Sequence, residues 1–263
     1  MLRRRIRRAA AAAGLLACLP GSATAARPAD LAASTARYTV RFDATWTSTS
    51  HPLDYPASAH WSPLVGGTHD GSVQFWQAGQ LASVGIKDMA ERGLTAPLAS
   101  EVQAQIAAGH AGAVVLGGGI ATGAGMATAT FDITQQFPLA TVVTMIAPSP
   151  DWFVGVAGVP LFTGGQWVEV AHVPLFAYDA GTDSGTNYSS PNQATVPPQP
   201  IALNPAAPFA NGNALGSFTF TRIDPPITVT VPALGASGAL GLAVVLAALA
   251  IAMPWWRRRA ASR

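Results

Sequence analysis

Hydrophobic and polar residues alternate over residues 38–43, where Tyr38, Val40 and Phe42 interleave with Thr39, Arg41 and Asp43. A period of two puts one set of side chains against a core and the other in water, so this stretch predicts a half-buried β-strand. Residues 127–134 repeat the alternation. Residues 139–147 are instead continuously apolar and rich in β-branched side chains, which predicts a strand buried on both faces. Shorter strands are expected at 152–156, 167–173, 217–222 and 227–231. Two segments read as helix, 87–92 and 97–109. In the second, Leu98, Val102 and Ile106 fall at i, i+4 and i+8 on one face. Residues 117–125 are glycine-rich, lack the GxGxxG spacing of a dinucleotide turn and stand outside any βαβ alternation, so they predict a loop. Residues 194–213, rich in Pro, Ala and Asn, predict a long surface connection. Many short strands separated by Gly and Pro point to a mainly β fold, an antiparallel β-sandwich with one or two short helices.

The two ends follow a different pattern. Met1-Leu-Arg-Arg-Arg-Ile-Arg-Arg precedes apolar residues 9–19, and Ala23-Thr-Ala25 supplies small residues at a cleavage position. Residues 1–25 therefore predict a secretory signal peptide. Cys18, the only cysteine, sits in Leu15-Leu-Ala-Cys18. That run is similar to a lipoprotein box, but Leu16 is bulkier than the box prefers, and a cysteine discarded with the signal is the better fit. Removal after Ala25 leaves a chain that cannot form a disulfide. Residues 234–253 carry no charge and are long enough to cross a bilayer as a C-terminal transmembrane helix. Trp255 and Trp256 follow as interfacial anchors, and Arg257, Arg258, Arg259 and Arg263 mark residues 254–263 as a cytoplasmic tail. Residues 225–233 form the linker. A short Pro-containing motif, a helix and an arginine cluster are similar to the carboxyl-terminal sorting signals of Gram-negative bacteria, which implies cleavage near Val231-Pro232. The expected location is the periplasmic or cell-surface face, anchored by a single helix.

Once the ends are set aside, charge changes the picture. The whole chain has a formal net charge of +2, but nine of its 15 basic residues lie in the signal and tail. Six remain against 13 acidic residues, so the exported part carries −7. Such a domain lacks the basic surface that nucleic acid requires. It suits a cation ligand.

The segment with the most chemistry is Asp179-Ala-Gly-Thr-Asp183-Ser-Gly185. Two carboxylates four apart, in a loop with two glycines, can fold oxygens around a hard cation such as calcium. The spacing is not that of an EF-hand, whose twelfth position would fall on Ser190. Asp and Gly also form ordinary turns. Asp183-Ser184-Gly185 matches the aspartic-protease triplet, but without a second copy or apolar flanking strands. A glycosidase pair would need a separation that spacing alone does not fix.

Longer motifs shift the balance between these readings. Pro148-Ser-Pro-Asp-Trp-Phe-Val-Gly-Val156, Tyr178-Asp-Ala-Gly-Thr-Asp-Ser-Gly185, Ser189-Ser-Pro191 and Thr195-Val-Pro197 follow His60-Trp-Ser-Pro-Leu-Val-Gly-Gly-Thr-His69, Phe75-Trp76 and Ala82-Ser-Val-Gly85 in order. This set resembles the spondin domain family, the N-terminal domain of F-spondin and mindin, over residues 36–224. The resemblance implies an antiparallel β-sandwich like those of calcium-dependent membrane-binding domains. It also implies a Ca2+ site on Asp151, Asp179 and Asp183, with Asp132 in Phe131-Asp-Ile-Thr as a fourth acidic position. Aspartate there has one methylene less reach than the glutamate of the mindin branch. Four carboxylates around one site repel one another without an ion.

Other positions have plainer expectations. His60 and His69 match no metal spacing and predict structural or loop roles. Trp61, Trp76, Trp152 and Trp167 predict core anchors rather than a carbohydrate platform. Ser184 lacks a nucleophile elbow. The function expected is a non-enzymatic, calcium-binding adhesion or interaction module whose partner is a protein or a surface glycan. A secreted hydrolase using the aspartates, and a structural surface protein with a purely stabilising ion, are the alternatives.

Overall fold

The computed structural model describes residues 34–224. The expected signal peptide, the 227–231 strand, the linker, the membrane helix and the arginine tail lie outside the described residues. The elements in chain order are β1 (Thr35–Thr45), β2 (His60–Trp61), β3 (Val65–His69), α1 (Val84–Arg92), α2 (Ala96–Ala108), β4 (Ala111–Leu116), β5 (Ala124–Thr134), β6 (Leu139–Ala147), β7 (Trp152–Pro160), β8 (Phe162–Thr163), β9 (Gln166–Trp167), β10 (Val170–Leu175), β11 (Tyr178–Asp179), β12 (Ala202–Leu203) and β13 (Gly216–Arg222).

Two antiparallel sheets pack face to face. The smaller has the order β10-β13-β1-β5; the larger has the order β12-β11-β7-β6-β3-β4, with β2 also pairing with β6, and β8 and β9 form a separate hairpin. The alternation read in β1 matches its burial, with Ala36, Tyr38, Val40, Phe42 and Ala44 inward. Phe42 crosses to the larger sheet and meets the edge of Trp61 at 4.9 Å.

The far face of the larger sheet is covered by the two helices. Ile86, Met89, Leu98 and Val102 pack there on Val65, Val143, Met145 and Phe153. β6 thus lies between two cores, and every residue after Leu139 is buried. This explains its unbroken apolar run, because neither face of the strand reaches water.

The differences from expectation have local causes. α1 begins three residues early because Ser83 caps it: its hydroxyl accepts the Ile86 N–H at 3.1 Å. Glu101 of α2 accepts the Gly85 N–H at 2.6 Å and the Ser83 hydroxyl at 2.7 Å. α1 ends at Gly93, whose φ of 66° is the left-handed cap that glycine favours. β3 and β4 were not foreseen. Gly66-Gly67 lowers the strand propensity of β3, yet a Cβ at Gly66 would lie 1.9 Å from the Thr141 carbonyl oxygen. The centre of the larger sheet needs a bare backbone there. β5 starts within the expected loop, β7 continues to Pro160, and the expected 167–173 strand divides into β9 and β10.

Candidate metal centre

β7 and β11 pair antiparallel with Trp152 opposite Asp179. That register brings Asp151, the last residue of the β6–β7 turn, against the loop that leaves β11. The Ala180 N–H donates to the Asp151 carbonyl at 3.2 Å. The Asp151 side chain is fully buried. Its Oδ2 accepts the N–H groups of Thr182 at 2.7 Å and Asp183 at 3.0 Å, and the Thr182 hydroxyl at 3.2 Å. Its Oδ1 is buried without a hydrogen-bond partner. Burial pushes the Asp151 carboxyl up to about 6; the charge of Asp179 adds to this and the bonds from Thr182 and Asp183 oppose it.

The other two carboxylates are held in the same way. Asp179 accepts the Gly181 N–H on Oδ1 at 2.8 Å and the Trp152 indole N–H on Oδ2 at 3.3 Å. Burial raises its pKa, the two hydrogen bonds oppose the rise, and the neighbouring charge of Asp183 reinforces it. Asp183 accepts the Gly185 N–H on Oδ1 at 2.8 Å and the Gln193 N–H on Oδ2 at 2.9 Å. Gly181 turns the loop at φ 72°, and a Cβ there would fall 2.1 Å from the Gln199 carbonyl oxygen. The strap 193–199 is stapled to the loop by Ser184 N–H to Gln193 O, Thr195 N–H to Thr182 O and Gln199 N–H to Gly181 O, at 2.8–2.9 Å.

The charge of Asp179 thus reaches Asp151 and that of Asp183 reaches Asp179, and among the described residues no lysine or arginine forms an ion pair with the three. As placed, no three His, Cys, Asp or Glu side chains among the described residues stand together as ligands of one ion. The orphaned Oδ1 of Asp151 is the donor atom still free. A hard cation fits an all-oxygen donor set of this kind.

Asp132 is not part of this group, which corrects the four-carboxylate expectation. It lies two residues before the end of β5, on the outer face, 68% exposed, and pairs with Arg37 at 3.1 Å. The short turn after β5 leads into the start of β6, whereas Asp151 follows the end of β6. Nine residues of strand separate those ends, roughly 25–30 Å.

The remaining positions are structural. The exposed His60 donates from Nδ1 to the Ser58 carbonyl at 2.7 Å. The buried His69 joins the Asp70 carbonyl at 2.7 Å and the Thr141 hydroxyl at 2.9 Å, and burial lowers its pKa. Trp61, Trp76, Trp152 and Trp167 are all buried. Ser184 shares a hydrogen bond with Thr195 at 2.8 Å. Asp70, Ser72 and His110 form a cluster that the sequence did not reveal. Asp70 and His110 both address the Ser72 hydroxyl, and the same imidazole nitrogen, Nδ1, faces Asp70 at 3.6 Å. A triad needs the carboxylate on the opposite nitrogen from the serine. Sequence reasoning also missed the amides of Thr182 and Gln193 and the indole of Trp152, because hydrogen-bond roles of backbone and aromatic groups leave no spacing signal.

The Spondin_N family pattern matches residues 36–213. Spondin-2 of Homo sapiens is 37% identical over 202 residues, covering 73% of this chain and 59% of that protein. Spondin-2 of Rattus norvegicus is 35% identical over 201 residues, with the same coverage. Spondin-1 of Rattus norvegicus is 34% identical over 189 residues, covering 68% of this chain and 23% of that protein. The chain therefore spans 59% of the length of the Spondin-2 relatives and less of Spondin-1. With the family pattern lying over most of the described domain, the chain belongs to the Spondin_N family.

Proposed function

We propose that this chain is an exported, membrane-anchored adhesion or interaction module without catalytic activity, and that Asp151, Asp179 and Asp183 bind Ca2+. The observation that carries the reading is Asp151: a fully buried carboxylate with one unpartnered oxygen, next to two further aspartates and with no basic ion-pair partner among the described residues. A buried charge in that setting is costly unless a cation neutralises it. The ion would supply that neutral balance and order the loop. The protein's part is to hold the carboxylates in place through the amides of Gly181, Thr182, Asp183, Gly185 and Gln193.

Export and anchoring rest on the sequence of the two ends, and adhesion rests on membership of the family. The partner is a protein or a surface glycan that meets the ion-ordered loops. Melting of the full-length chain in excess calcium and in excess chelator tests the ion: calcium should raise the midpoint, and coincident curves would remove the site. Capture of surface components with calcium, lost in chelator, separates an interaction module from a protein that uses its ion for stability alone.

A further inference from the structure

Trp152 connects the aspartate cluster to the loops around it. Its indole N–H donates to Asp179 Oδ2 at 3.3 Å, while the ring is 2% exposed. The ring meets Tyr188 at 5.4 Å and Phe209 at 5.2 Å, both edge-on. Tyr188 and Phe209 also touch each other, at 6.1 Å. Each is the large buried side chain of a mostly exposed loop. Tyr188 lies in the tight turn where the Ser190 hydroxyl accepts the N–H groups of Thr186 and Asn187. Phe209 lies in the turn closed by Phe209 N–H to Ala206 O and Gly212 N–H to Phe209 O. A third loop joins through polar contacts: the side-chain amides of Asn211 and Asn213 donate to the Ser50 carbonyl at 2.6 and 3.2 Å.

We infer that Trp152 is a positioning residue that couples ion occupancy at the aspartates to the order of the Tyr188 and Phe209 loops. This rests on the calcium reading above. Each loop has one large buried side chain, and both side chains rest on the same indole. The indole is held on its polar edge by one of the proposed ligands. A carboxylate fixed by an ion fixes the ring, and a fixed ring gives both loops a defined seat. Without the ion, Asp179 is repelled by its neighbours and the ring loses its tether. The surface that responds to calcium is then wider than the aspartate loop and includes segments without an acidic ligand.

The test uses the full-length chain, calcium titration calorimetry and amide hydrogen exchange. In the wild type, calcium should slow exchange in residues 186–190 and 206–213 as well as in 180–185. Trp152→Phe keeps an aromatic ring but removes the N–H. It should weaken calcium binding about tenfold, as loss of an outer-shell partner does. At saturating calcium it should keep the slowing at 180–185 and lose it at 186–190 and 206–213. Phe209→Leu leaves the indole bond intact and guards against a folding defect in the first variant. It should bind calcium within about twofold of wild type while losing the slowing at 206–213 alone. Wild-type binding with no slowing in the two loops overturns the coupling and leaves the calcium site standing. So does full slowing at 206–213 in Trp152→Phe. Absence of any calcium heat in the wild type removes both readings.

Discussion

At the β5–β6 end of the sandwich, Asp132 faces Arg37 at 3.1 Å and Asp224 faces Arg222 at 2.6 Å, with Glu169 also on Arg222 at 3.1 Å. At the β6–β7 end, Asp151, Asp179 and Asp183 have amide and indole N–H groups and the Thr182 hydroxyl as partners, and no arginine among the described residues pairs with them. The electrostatic results run in opposite directions. Hydrogen bonding to Arg222 holds the Asp224 carboxyl below the usual range, whereas burial and the charge of Asp179 push Asp151 up to about 6. The same residue type is neutralised by the chain at one end and left short of positive charge at the other. Cation affinity is expected only at the second end.

The largest effect that would break this contrast is removal of Asp151. Asp151→Ala strands the buried N–H groups of Thr182 and Asp183 and should cost about 3 kcal/mol in urea denaturation, since each unsatisfied buried donor costs about 1–3 kcal/mol. Asp151→Asn keeps an acceptor oxygen, so it should lose much less in chelator while losing the calcium response. Equal stability losses for the two variants would show that the amides are not what Asp151 satisfies.

Next in size is calcium itself. At free calcium a hundredfold above the dissociation constant, binding to the native state alone adds about 2.7 kcal/mol. For a domain of this size that raises the melting midpoint by about 5–10 °C. Asp183→Asn should abolish the rise.

The pH dependence is smaller and its sign is fixed. A carboxyl with a folded pKa of about 6 binds its proton more tightly in the folded state than in the unfolded state. In chelator, Asp151 therefore favours the fold below about pH 4, and that contribution is lost as pH rises to about 6. Calcium competes with the same proton. The midpoint difference between calcium and chelator should grow from about pH 5 to about pH 7.5. A difference that shrinks over this range would contradict Asp151 as a ligand.

The smallest effect belongs to the opposite end. Arg37 and Asp132 are 58% and 68% exposed, so Arg37→Ala and Asp132→Ala should each change stability by no more than about 0.5 kcal/mol. Calcium affinity should not move. A loss of affinity in Asp132→Ala would return that residue to the site.

The sequence made some elements legible and hid others for physical reasons. β1, β5 and β6 could be read because burial on one face or two writes a period or a run into the chain. β3 could not, because its backbone passes so close to β6 that glycine is required, and glycine carries no strand signal. Asp179 and Asp183 were visible as a loop with two carboxylates, but only the family resemblance drew Asp151 to them across 28 residues. The same resemblance misplaced Asp132. An outward aspartate on an alternating strand reads identically whether it meets a cation ligand or a neighbouring arginine, and the Arg37 pairing depends on strand register.

β6 also has a meaning before the fold exists. A nine-residue stretch without charge or proline, with Val, Thr and Ile at five of its positions, is well suited to pair with a second copy of itself. Pro138 and Pro148 stand immediately on either side and stop such pairing from spreading. A strand buried on both faces in the finished domain is therefore also a solubility hazard during synthesis, until the helix layer covers it.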